Sequence, residues 1–217
     1  MQKNNASLAP TEHFDHWSII GRLAASLFHE INNPMQAIRG ALSLSLEELD
    51  DPEALRDYLE LSLQESEKIV QLIERVRRIY YSPEPAATTF DLNHLLHECG
   101  ALSRKYLSRL KVNLVFQLTV EPLPLTAVFS ELSLAILCAM MQMADEIGAN
   151  GGGELVVYST AVFPSSAQVQ VTTSSVTLPA NEFALSLCSP VIRKHQGTVD
   201  QYQKEQQAVI EIRLPLS

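Results

Sequence analysis

Residues 20–49 read IGRLAASLFHEINNPMQAIRGALSLSLEEL, and their apolar members Ile20, Ala24, Leu27, Ile31, Met35, Ile38, Leu42, Leu46 and Leu49 follow one another in steps of four and three. That spacing lines one side of an α-helix and makes a seam for bundle packing. Asp51-Pro52-Glu53 follows, an N-cap, a proline at the first helical position and an acid in the first turn, so a second helix starts there. Its seam reads Leu55, Leu59, Ser62, Ser66, Ile69, Ile73, Val76 and Tyr80. The two helices, within residues 17–81, therefore fold back as an antiparallel hairpin. One hairpin cannot cover its own apolar faces. The economical solution is a four-helix bundle made by two copies, and the monomeric alternative needs the second half of the chain to cover the seam.

Outward from the hairpin the texture changes. Residues 1–16 form a polar tail without the basic start and apolar core of a secretory leader. Residues 82–89, SPEPAATT, are rich in proline and small polar residues and read as a linker. In residues 90–217 the patterns give a helix over 92–107, a strand over 112–118, a helix over 128–147, a turn at 150–153, strands at 155–158 and around Val169 and Val171, a helix over 184–194 and a closing strand over 208–214. The fold class is thus α plus α/β, a helical hairpin followed by a two-layer α/β sandwich.

The chain has 217 residues, 46% of them hydrophobic, which is ample for a core. A net charge of -9 argues against a basic nucleic-acid-binding surface. The apolar stretch 132–144 falls short of the length of a membrane span. Cys99, Cys138 and Cys188 stand far apart and form no CxxC pair, so neither a disulfide framework nor a zinc site is indicated and a reducing cytoplasm is the expected location. His94 and His97 lack a third ligand and are read as a partly exposed helical pair. Asn150-Gly151-Gly152-Gly153 leads into a strand and is read as a turn, and Met140, Met141 and Met143 as core filling.

If Leu27 and Ile31 face inward, His29 lies on roughly the opposite side of its helix, together with Arg22, Ser26, Asn33 and Gln36 and flanked by Glu30. Pro34 cannot donate to the carbonyl of Glu30, so a bend is expected one turn after His29. The string Phe28-His29-Glu30-Ile31-Asn32-Asn33-Pro34, followed by Gln36-Ala37-Ile38-Arg39-Gly40, closely resembles the H-box of sensor histidine kinases of the HisKA type. The resemblance implies that His29 is a phosphoacceptor on the outer face of a dimeric bundle. It makes Glu30 the residue that orients the imidazole or takes its proton, and Asn33 an amide able to position water for dephosphorylating a receiver domain. Phe90-Asp91-Leu92-Asn93 is similar to the lead into the family's ATP-binding domain, and residues 190–215 to its end.

Other positions depart from that family. Where it has asparagines on the helix 131–147, this chain has Cys138 and Gln142, and where it has an Asp-x-Gly-x-Gly segment, this chain has Thr173-Ser174-Ser175-Val176-Thr177. Only Leu178 to Phe183 stands where a glycine-rich lid belongs. ATP binding is therefore expected to be lost, leaving no cofactor and no metal site of the chain's own, with Mg2+ supplied only by a receiver partner. The leading expectation is a cytoplasmic homodimeric histidine phosphotransferase that exchanges phosphoryl groups with response-regulator receiver domains, with no nucleic acid and no membrane as partners. Alternatives are a non-catalytic module that sequesters a response regulator or pairs with a histidine kinase, a receiver phosphatase using Glu30 and Asn33, and a kinase with unorthodox ATP contacts.

Overall fold

The computed structural model describes residues 11–80, 86–162, 164–173, 183–204 and 207–217. The first helix, α1 (Thr11–Glu47), starts ahead of residue 17 and is uninterrupted through Pro34. The turn to α2 (Pro52–Tyr80) is built as its residues dictate: the Asp51 carboxylate accepts the Glu53 and Ala54 amides at 3.0 and 3.1 Å, and the Tyr58 hydroxyl donates to Glu48 at 3.1 Å. The hairpin exists as expected, but its internal seam is displaced from the expected one. On α2 the buried or half-buried side chains include Leu55, Tyr58, Ser62, Glu65, Ile69, Leu72, Val76 and Ile79, whereas Leu59, Ser66 and Ile73 are exposed. On α1 the small residues Ala41 and Ser45 are buried, while Met35, Leu42 and Leu46 are exposed, as is Leu49 in the turn that follows. Both helices carry two apolar stripes, and helical periodicity cannot assign one of them to the chain's own partner helix.

The α/β half begins earlier than the linker reading placed it. Thr88 and Thr89 already belong to β1 (Thr88–Asp91), which pairs antiparallel with β3 (Pro124–Ala127). Each residue of Phe90-Asp91-Leu92-Asn93 has a structural task. The Phe90 ring meets Phe129 edge-on at 5.0 Å, and Asp91 caps α3 (Leu92–Arg109) while also accepting the Leu123 amide at 3.0 Å. Leu92 is fully buried, and Asn93 donates to the Thr119 carbonyl at 2.9 Å and accepts from Ser159 at 2.6 Å.

The main sheet has five strands in the order β2-β4-β5-β7-β6, formed by β2 (Val112–Leu118), β4 (Gly153–Val162), β5 (Ser166–Thr173), β6 (Thr198–Lys204) and β7 (Gln207–Pro215). Among the described strands of this sheet, β2 and β4 form the one parallel pair of neighbours. The strands β1, β3 and β6 were not legible in the sequence, because β6 is polar on both faces and the other two have four residues each. Leu155, Val157, Val169, Val171, Ile210 and Ile212 are fully buried against the helical layer. At its centre lies α4 (Phe129–Ala149), between α3 and α5 (Phe183–Lys194). By length and hydropathy α4 passes for a membrane span, yet 67% of its apolar window is buried inside the fold, as befits a core helix. Met140, Met141 and Met143 are buried as expected, and Gly151 and Gly152 adopt φ of 97° and 101° in the turn that the sequence placed there.

The two halves share a core. Leu23 and Leu27 of α1 and Leu72 and Ile79 of α2 are buried in the same apolar cluster as Leu95, Leu96 and Leu102 of α3 and Leu132 and Ile136 of α4. The α/β half thus covers one end of the hairpin seam and leaves the remainder open. At the other end of the fold Gly197 is buried, and a Cβ there would clash with the backbone carbonyl of Arg213 and stand 2.9 Å from Ile192. Gly197→Ala is expected to destabilise the protein by about 1–3 kcal/mol, read as a lowered midpoint in urea unfolding with unchanged slope.

Candidate functional site

His29 is exposed on α1, and so is Asn33 one turn further on. Glu30 is half-buried and Pro34 fully so. The side of α1 that carries Ser26, Glu30 and Pro34 is thus turned into the protein, and the side that carries Phe28, His29, Asn33 and Gln36 faces out. Ser26 corrects the expectation that it shares the outer face with His29: it is 0% exposed, and its hydroxyl has no hydrogen-bond partner. The 100° arithmetic took Leu27 and Ile31 as the centre of the inward face. The covering by α3 rotates that centre toward Ser26 and Glu30. The side chain of Arg22 lies outside the described residues.

The surroundings of Glu30 explain its protonation behaviour. Burial against the α/β half raises its carboxyl pKa above the ordinary carboxylate value, and the cations Lys105 and Arg104 of α3 and Arg75 of α2 oppose that rise without cancelling it. Arg75 in turn stands 3.4 Å from Glu98 of α3, an ion pair lacking the alignment of a hydrogen bond. The carboxyl beside His29 therefore feels cations from two other helices, α2 and α3. Sequence reasoning found Glu30 by its motif but missed Arg75, Arg104 and Lys105, whose approach depends on packing between elements far apart in the chain.

On α4, Cys138 is buried and Gln142 half-buried. Cys138 faces Cys188 of α5, whose thiol donates to the Ala135 carbonyl at 3.1 Å. The hydrogen bond with Cys138, and then burial, push the Cys188 thiol well above the ordinary thiol pKa. The two positions at which the sequence departs from the H-box family's asparagines thus hold a thiol packed under α5 and a half-buried amide. Residues 174–182, which include most of the altered loop and lid segments, lie outside the described residues. Among the described residues no group of three or more His, Cys, Asp or Glu side chains is placed to hold a metal, and His94 and His97 are both exposed.

Residues 19–80 match the family model of the His Kinase A (phospho-acceptor) domain. Over 132 residues, 61% of this chain, the sequence is 26% identical to the signal transduction histidine-protein kinase AtoS of Escherichia coli, and the match spans 22% of that relative's length. Among solved structures, the catalytic domain of histidine kinase ThkA is similar over 60% of this chain and 95% of its own, with 19% identity and a TM-score of 0.54. Histidine kinase ThkA in complex with response regulator protein TrrA is similar over 93% of this chain and 63% of its own, with 24% identity and a TM-score of 0.53. Histidine kinase AdeS of Acinetobacter baumannii is similar over 87% of this chain and 98% of its own, at 13% identity and a TM-score of 0.52.

The desolvated carboxyl has a measurable consequence. A carboxyl whose folded pKa is raised favours folding below its unfolded pKa, and that contribution is lost as pH rises through the folded value. Glu30→Gln removes the charge, so the variant is expected to be more stable than the parent at pH 7, with the advantage vanishing as pH falls below about 4. Paired thermal melts across that range check the sign.

Proposed function

We propose that the chain is of the sensor histidine kinase type, a His Kinase A hairpin followed by a domain similar in fold to histidine-kinase catalytic domains, and that it acts in two-component signalling as a histidine phosphotransferase working without ATP. The observation that carries the reading is the exposure of His29 beside a half-buried Glu30 whose carboxyl is raised in pKa. An exposed imidazole can be reached by the phospho-aspartate of a receiver domain. Its neutral nitrogen attacks phosphorus, the bond from phosphorus to the aspartate oxygen breaks, and the electron pair leaves on the receiver's carboxylate. Glu30 is assigned to hold or take the proton of the other ring nitrogen, and a raised pKa makes it a better base for that purpose. The reverse sequence delivers the group to a second receiver. Mg2+ is assigned to the receiver, whose charge it neutralises, and Cys138 and Gln142 leave no step for ATP on this chain. ThkA has been solved with a response regulator, which supports a receiver as the partner class.

The proposal includes a homodimer. Phe28, Met35 and Leu42 on α1 and Leu49 just past its end stand seven residues apart and are 66%, 45%, 43% and 61% exposed, an apolar stripe too regular for solvent. Leu59, Leu63, Val70 and Ile73 continue it on α2, and at the level of His29 the stripe widens into an apolar groove of about 480 Å³ between Leu27, Ile31, Leu72 and Val76. The proposed location is the cytoplasm, where the three buried free thiols stay reduced. A second reading, receiver phosphatase activity, is favoured by the exposure of Asn33 one helical turn from His29.

Incubation with phosphorylated receivers is expected to leave acid-labile phosphate on the parent protein and none on His29→Gln, whose fold and dimer stay intact because the side chain faces solvent. Equal labelling of the variant would sink the relay reading. Glu30→Ala slows transfer less than the loss of His29, and Asn33→Ala spares transfer while slowing loss of label from the receiver. Leu42→Glu with Leu46→Glu, both at exposed positions, is expected to convert a dimer to a folded monomer in light scattering. Assembly that survives the pair of charges removes the dimer from the proposal.

A further inference from the structure

Among the described residues, strand β2 lies at one edge of the main sheet and pairs with β4 alone. In a parallel ladder a strand turns both backbone groups of alternate residues toward the same neighbour. The Gly153 amide donates to the Lys111 carbonyl at 3.1 Å and the Thr119 amide to the Ser159 carbonyl at 3.2 Å, which fixes odd-numbered residues toward β4. The amides and carbonyls of Val112, Leu114 and Phe116 therefore point to the open edge. That edge lines a groove of about 610 Å³ whose other wall is α3. The α3 backbone comes close because residue 100 is glycine: a Cβ there would clash with the Phe116 ring and stand 3.0 Å from Leu114. His97 meets the same ring edge-on at 5.0 Å.

Two features set this edge apart from an ordinary one. Exposed strand edges are usually protected by charge, proline or irregularity, and β6 at the opposite edge carries Asp200 and Lys204. β2 reads VNLVFQL, with no charge and no proline. The groove beside it is lined by Arg104, Lys111 and His97 and by no carboxylate, in a chain whose net charge is -9. We propose that the free edge of β2 is a docking site for an extended acidic segment of a partner protein, which adds to the sheet as a further strand with its carboxylates toward Arg104 and Lys111. A second copy of this chain is disfavoured as the occupant, because twofold pairing of β2 with β2 would bring Arg104 and Lys111 of both copies together. Arg104 is shared with the surroundings of Glu30, but the proposal does not depend on the phosphotransfer reading.

The test uses the full chain, labelled with nitrogen-15, and a fluorescent peptide alternating valine and glutamate, with glutamine and lysine versions for comparison. Anisotropy is expected to show saturable, salt-weakened binding of the glutamate peptide, about tenfold tighter than the glutamine one. Arg104→Gln with Lys111→Asn is expected to remove that difference; both side chains are exposed, and asparagine tolerates the φ of 58° at residue 111. Bound peptide should protect the Leu114 and Phe116 amides from hydrogen exchange and leave those of Asn113, Val115 and Gln117 unchanged. No binding at millimolar peptide, equal binding of the three peptides, an unaltered preference in the double variant, or protection elsewhere would each overturn the proposal. Protection of Leu114 and Phe116 that grows with protein concentration and without peptide would overturn it too, naming a second copy as the occupant.

Discussion

Four apolar side chains, Leu23 and Leu27 from one helix of the hairpin and Leu72 and Ile79 from the other, extend the core of the α/β half into the base of the bundle. Most other features of the molecule depend on that contact. By burying one end of the hairpin it turns α1 so that Ser26 and Glu30 face α3, which desolvates the Glu30 carboxyl and brings Arg75 to Glu98. The same rotation leaves His29 and Asn33 in solvent. A hairpin held at one end presents its remaining apolar surface outward, from Phe28 to Leu49 and from Leu59 to Ile73. Burial of each large side chain contributes roughly 1.5–3 kcal/mol, so the open stripe is a strong drive toward association.

The interface that creates this arrangement is polar at its edge and imperfectly satisfied. Ser26 keeps a buried hydroxyl without a partner, and Arg75 and Glu98 meet without a hydrogen bond. A buried unpaired polar group costs about 1–3 kcal/mol. Such a cost is sustained by the apolar contacts around it, and it makes the contact between the halves weaker than its buried area suggests. Deeper in the α/β half the packing is closed: α4 is apolar nearly all round, and Cys99, Cys138 and Cys188 fill spaces among α3, α4 and α5 as small hydrophobic groups. Burial holds the Cys99 thiol far above its ordinary pKa, so it behaves as core rather than as chemistry.

Much of this was legible in the residues. The Asp51-Pro52-Glu53 signal placed the hairpin turn, the alternation at 208–214 placed the last strand, and the glycines at 151–153 marked the tight turn before β4, since local backbone preference alone dictates those features. The motif around His29 placed the histidine on an exposed helical face, which helical geometry predicts from its neighbours. Strand β6, with polar residues on both faces, gave no alternation to read. The start of β1 was hidden because Thr88 and Thr89 share the composition of the linker that precedes them and become strand only by pairing with Ala127 and Thr126.

What the one-dimensional pattern settled is the inventory: two long helices, an α/β half, and an outward histidine with an acid beside it. Packing settled the partners. Helical periodicity shows that a residue is apolar on a given face, but α1 and α2 each have two such faces, and only the fold places Ala41 and Ser45 inside while Leu42 and Leu46 remain outside. The environment of Glu30 likewise depends on Lys105 and Arg104, some 75 positions further along the chain and near it only because α3 docks on α1. The free edge of β2 exists because the strand order ends there. Long-range contacts of this kind follow from the shapes of whole surfaces, which no local spacing of residue types encodes.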